Sequence, residues 1–242
     1  MIKSFLCVAL ISCLATPLFA AVPVKNVVNP KVFEILSLPA ENRMQVTGSG
    51  GQEFYKDYIA VAFSENQSMR LRWRALMMAA ETRGDKATPD LLKASVHKQW
   101  FMRNASLVAL SETNQGEAHI LAKKLLNDKA LVVRTAAVEV LQKNQRPEVR
   151  ELLWQELDRK HNYRNAESLW IRGQIVDALS QKPADFEMKN FTKLIGDKDA
   201  RVQTAAVQGM EKLTGVKLGE AKMPREKLVL LWQDYVRKEN KL

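Results

Sequence analysis

The sequence predicts an all-α protein, an α-solenoid of five antiparallel helix pairs closed by a C-terminal capping helix. Three observations predict it. First, one pattern recurs five times: "LRWRALMMA" around Arg72, "MRNASLVAL" around Arg103, "VRTAAVEVL" around Arg134, "IRGQIVDAL" around Arg172 and "VQTAAVQGM" around Gln203. These anchors are separated by 31, 31, 38 and 31 residues, a period that belongs to stacked repeats. Second, the residue before each anchor and those three, four and seven after it are small or apolar, as with Val133, Ala137, Val138 and Leu141. That spacing is one stripe of a helix. Third, six residues before the anchors stand Asn66, His97, Asp128, Ala166 and Asp197. All but Ala166 are polar or capping types, suited to a turn that hands over to a helix.

Residues 1–21, "MIKSFLCVALISCLATPLFAA", carry one early cation, Lys3, then an apolar run and small residues at Ala20 and Ala21. This is the layout of a secretory signal peptide, too short to span a bilayer comfortably. Export is expected. Both cysteines, Cys7 and Cys13, fall inside the segment, so the mature chain offers no disulfide, thiolate metal site or cysteine nucleophile. "LISC", Leu10 to Cys13, is similar to a lipoprotein signal box, which makes a lipid anchor on Cys13 the alternative product. The continuing apolar run favours Cys13 as a plain signal-core residue. Of three N-x-S/T sequons (Asn66, Asn104, Asn190), Asn104 lies within a repeat helix, which favours a bacterial source and hence a periplasmic protein. The formal charge is +10. Losing Lys3 leaves the mature chain basic, which points to acidic or anionic partners rather than to any fold.

Residues 22–50 hold a short apolar segment, "KVFEILSL", and a glycine-rich joint, "TGSGG", and read as an arm and linker. The repeat array then runs over 51–215. Between the anchored helices lie first helices: "QEFYKDYIAVAF", "TPDLLKASV", "GEAHILAKKLL", "PEVRELLWQEL" and "FEMKNFTKLI". Pro89 and Pro147 stand where a first helical turn tolerates proline. Each unit is therefore a helix pair, and stacking the pairs buries a continuous core. The long interval implies an insertion, most simply the polar loop "DRKHNYRNAE", Asp158 to Glu167. Residues 216–242 end in "REKLVLLWQDYVRKENKL", an amphipathic helix suited to capping the array.

"NDKALVVRTAAVEVL" and "GDKDARVQTAAVQGM" resemble the HEAT repeat in its short bacterial form, over about residues 51–242. The resemblance implies a right-handed superhelix that serves as a protein-binding scaffold. A family of small DNA glycosylases is also built from HEAT-like repeats. "WFMRNASLVAL", with Trp100 and Arg103, is similar to a tryptophan–arginine helix of that family, and Trp73, Trp154 and Trp170 would then offer aromatic contacts to a base. No catalytic aspartate can be placed, and an exported protein meets little duplex DNA.

No catalytic or metal-ligating constellation stands out. The three histidines, His97, His119 and His161, show no HExxH or paired spacing. His97 reads as a helix-end residue, and His119 and His161 as solvated side chains. GxSxG and SxxK are absent, and "TGSGG" lacks the lysine of a phosphate loop. Glu151 and Glu156 read as solvating carboxylates on a charged helix face. No cofactor is expected. The repeating Arg72, Arg103, Arg134 and Arg172 form a ladder. Periodicity favours a structural role for it, with partners such as Asp128 and Asp197, over a cationic binding track. Residues that break the period are the better binding candidates: Arg70 and Arg74 flanking Trp73, and Arg159, Lys160, Tyr163 and Arg164 of the inserted loop. Trp100 and Trp170 are expected to pack against the preceding pair. The expected function is a non-enzymatic scaffold that docks an acidic protein on a basic concave face. Binding to an anionic envelope polymer or lipid headgroups is the alternative, and no nucleic-acid partner is expected.

Overall fold

A computed structural model describes residues 28–48, 51–144, 146–220 and 222–239, so the signal segment lies outside the described residues. The fold is all-α apart from one small hairpin. Helix α1 (Pro30–Ser37) starts where Asn29 accepts from Lys31 N, with proline in its first turn, and it buries Val32, Ile35 and Leu36. Helix α2 (Ala40–Gly48) follows, and both pack on α4 (Met69–Arg83). Residues 30–48, expected from sequence to be an arm and linker, are thus helical and packed on α4, and α1 joins the core. Two turns of helix are marginal in isolation, so only the docking on α4 makes this segment structured. Of "TGSGG", Thr47 and Gly48 close α2 and Gly51 is buried in a short 3₁₀ turn, while residues 49–50, where the joint was expected, lie outside the described residues.

From there helices alternate. First helices α3 (Tyr55–Phe63), α5 (Thr88–Ser95), α7 (Gln115–Leu125), α9 (Pro147–Leu157) and α11 (Met188–Leu194) precede the anchored second helices. These are α4, α6 (Trp100–Thr113), α8 (Leu131–Leu141), α10 (Trp170–Ser180) and α12 (Ala200–Thr214). Each first helix packs on the second helix that follows it. Second helices also pack on one another in chain order, α4 on α6, α6 on α8, α8 on α10 and α10 on α12. The apolar stripe is what they share: Ala75, Leu107, Ala137, Val176 and Ala206 are fully buried. Small residues set how closely they approach. A β-carbon on Gly209 would stand 2.6 Å from the Phe191 ring of α11. Helix α13 (Arg225–Lys238) packs on α12 and buries Val229, Trp232 and Val236.

The insertion folds as a 3₁₀ turn (Lys160–Asn162) and a two-residue hairpin pairing Tyr163 with Ser168 and Arg164 with Glu167. Its turn residues, Asn165 and Ala166, have φ of 52° and 65°. Such turns favour Asn-Gly, and a β-carbon in the left-handed region costs about 1 kcal/mol. Ala166→Gly is accordingly expected to raise stability by about 1 kcal/mol, read as a higher urea midpoint. An unchanged midpoint would show that the turn bears no such strain.

Candidate functional site

The ladder arginines are almost fully buried or paired, and each reaches forward to the turn of the next unit. Arg72, 1% exposed, donates from Nε to Ala62 O (2.9 Å) and from Nη1 to Gln99 Oε1, while Nη2 stands 3.4 Å from His97 Nε2. Arg103 grips Asp128 with Nε and Nη2 at 2.5 and 2.6 Å. Arg172 grips Asp197 at 3.2 and 2.7 Å and also donates to Asp158 (3.0 Å). Gln203, the chargeless anchor, accepts from Arg225 Nη1 at 3.2 Å, so α13 supplies the guanidinium that the anchor lacks.

Arg134 explains the insertion. The turn ahead of it carries Ala166 where the other units have a polar side chain, and alanine offers no acceptor. The loop provides substitutes: Arg134 donates to Asn162 Oδ1 (3.2 Å) and His161 O (2.6 Å), besides Asp128 O (2.9 Å). Asn162 is itself buried and donates to Glu156 O at 2.7 Å. Glu156 is not a solvated carboxylate but is 3% exposed and bonded to His161 Nε2, so His161 is tied as well.

The period-breaking candidates divide. Arg70 is exposed, as are Arg159, Lys160 and Arg164. Arg74 is not a free cation, because Nη1 donates to Leu36 O at 2.7 Å and ties α4 to α1. Trp73 is half-buried against the core. Tyr163 turns inward, its ring 4.8 Å from the Arg172 guanidinium and its hydroxyl donating to Asp158 Oδ1 (2.9 Å). Burial, with that hydrogen bond, pushes its phenol up to about 12. Trp100 and Trp170, expected to pack, are 42% and 50% exposed.

Burial raises the Asp128 and Asp197 carboxyls, but hydrogen bonds from Arg103 and Arg172 and from the following backbone N–H groups hold both below the usual range. His97 is pushed down by burial first, then by Arg72 and Lys98, with Glu65 opposing and Arg103 adding to the effect. Gln99 N–H donates to His97 Nδ1 (3.1 Å), a bond only the unprotonated nitrogen accepts. A folded-state value below the unfolded one means the unfolded chain takes up the proton first. Stability is therefore expected to fall as pH drops below about 6.5. His119, lowered by burial and by Lys123 and Arg146, adds to the same limb. Urea midpoints at pH 7.5 and 5.5 should converge partly in His97→Gln, and equal pH slopes in both proteins would contradict this.

Sequence reasoning missed two features. One is a buried network in which Glu187, fully buried, accepts from Arg150 Nε (2.8 Å), Trp154 Nε1 (2.7 Å) and Ala184 N (2.8 Å). The other is a groove of about 1080 Å³ over the turns before α6 and α8, where Val96 and Trp100 meet Lys124 and Lys129. The exposed, non-repeating Val96 beside a helix-starting tryptophan was the available signal. Among the described residues no cluster of three potential metal ligands occurs. The tryptophan–arginine helix that resembles the glycosylases has its arginine, Arg103, engaged through Nε and Nη2 by Asp128 and through Nη1 by the carbonyls of His97 and Lys98. No family model matches the chain, and no curated protein matches it in sequence.

Proposed function

We propose that the chain is an exported, non-enzymatic scaffold of the bacterial envelope, a HEAT-like solenoid of antiparallel helix pairs that docks a partner protein. The observation that carries this reading is the forward reach of the ladder. Arg72, Arg103, Arg134 and Arg172 each bond the turn of the next unit, so each unit leans chiefly on its neighbours, as in a one-dimensional array. Such arrays leave long helical faces open to a partner. The guanidinium and carboxylate groups that a reaction centre would draw on are spent between units instead. Signal processing at Ala20 or Ala21 belongs to the same proposal.

The test is capture from an envelope extract with the mature chain as bait, followed by reconstitution from two purified proteins. A saturable complex of fixed stoichiometry is the expected result. Steeply salt-dependent binding to anionic vesicles or envelope glycan, with no protein complex, would overturn the reading in favour of a polyanion binder.

A further inference from the structure

Resting on that scaffold reading, we propose that the groove over the turns before α6 and α8 docks an acidic segment of the partner protein that carries large apolar side chains. Three independent features of the groove converge on this chemistry. Its wall is apolar where soluble surfaces are usually polar: Val96 is 81% exposed, Met69 52% and Trp100 42%. Half-exposed tryptophan beside cations is the composition of interface anchors. Its rim is cationic. Lys98 is held only by the exposed Glu65, whereas the ammonium groups of Lys124 and Lys129 have no carboxylate partner among the described residues. The single carboxylate in the lining, Asp128, is closed off by Arg103.

The backbone adds to this charge. Helices α6 and α8 open onto the groove with Gln99 and Ala130 at their N-caps, and neither supplies a side-chain cap. By contrast, α7 and α12 are capped by Asn114 and Asp199. Two helix ends without a side-chain cap therefore face the same space as two ammonium groups without a carboxylate partner, an arrangement that favours carboxylates. A protein segment fits better than a lipid surface because the apolar side chains line a concavity between turns. A side chain enters such a concavity, whereas a plane of headgroups does not.

The probe is a short fluorescent peptide alternating glutamate with leucine or phenylalanine. Its controls are the same peptide with lysine for glutamate and with serine for the apolar residues. The acidic apolar peptide is expected to bind saturably, about tenfold more tightly than either control. Trp100→Ala is expected to weaken it about tenfold, and Lys124→Glu/Lys129→Glu to abolish it, with circular dichroism and melting confirming that each variant folds. Equal binding by these variants, or by the lysine peptide, overturns the proposal. So does Lys124- and Lys129-dependent binding to phosphatidylglycerol vesicles that exceeds binding of the peptide. The envelope capture separates the two levels. A partner still retained by the combined Trp100→Ala/Lys124→Glu/Lys129→Glu variant refutes the groove alone, whereas no partner for any form refutes the scaffold as well.

Discussion

Glu187→Ala is expected to destabilise the protein by about 3–5 kcal/mol, the largest effect of any single substitution considered. The carboxylate is fully buried, yet it satisfies two nitrogens of Arg150, the indole of Trp154 and the backbone of Ala184. Removing it takes the Glu187 carboxylate away from a buried guanidinium, and the loss of that pairing dominates the cost. For a chain of this size the melting temperature should drop by roughly 6–20 °C. The double replacement Arg150→Met/Glu187→Leu should recover a large part of the loss, since a buried pair is worth little more than apolar packing of similar volume. Thermal melts of the three proteins check this. A single variant within about 1 kcal/mol of wild type would show that the pair is hydrated and not buried.

Arg172→Met is the second large effect, about 3 kcal/mol at neutral pH, and it carries its own pH signature. The guanidinium is 4% exposed and faces Asp197, which is 16% exposed. Burial works to raise Asp197, while Arg172 and the N–H groups of Lys198 and Asp199 more than offset it, so the folded carboxyl stays below its ordinary value. That sign means the stabilisation is fully present above the unfolded value of about 3.9 and is lost as pH falls through the folded value. The gap between wild type and Arg172→Met should therefore narrow as pH falls below the unfolded value of about 3.9. The variant, in which only the N–H groups of Lys198 and Asp199 oppose burial of Asp197, should begin acid unfolding at higher pH. Urea titrations at neutral and acid pH read both effects. A gap that stays constant across the range would mean Asp197 does not depend on Arg172. Arg70→Ala, at an exposed position off the ladder, is the control, and should stay within about 0.5 kcal/mol of wild type.

The ladder was legible as a period because helices that pack on one another in chain order repeat their contacts, so one arginine in register with three others already announces a shared role. What each arginine would touch was only half legible. Asp128 and Asp197 stand at the repeating turn position and could be named. The substitutes in the third unit could not, since Asn162 and the carbonyl of His161 reach Arg134 only because the insertion folds back into a 3₁₀ turn. Arg74 and Tyr163 looked free for a related reason. Each breaks the pattern, and sequence offers no way to see that Leu36 O or the Arg172 guanidinium lies within reach.

By itself the sequence determined the helical content, the period, the small-residue stripe and the capping helix. All of these are written in local spacing: a 3.6-residue helix shows its buried face within a dozen residues. Tertiary structure alone decided three things. It folded residues 30–48 onto α4, it joined Arg150 to Glu187 across 37 residues, and it left Trp100 facing a cationic groove. Each depends on which surface a neighbouring helix happens to cover. Burial of a side chain is a property of its neighbours in space, and a single helix stripe records only that a neighbour exists, not where it ends.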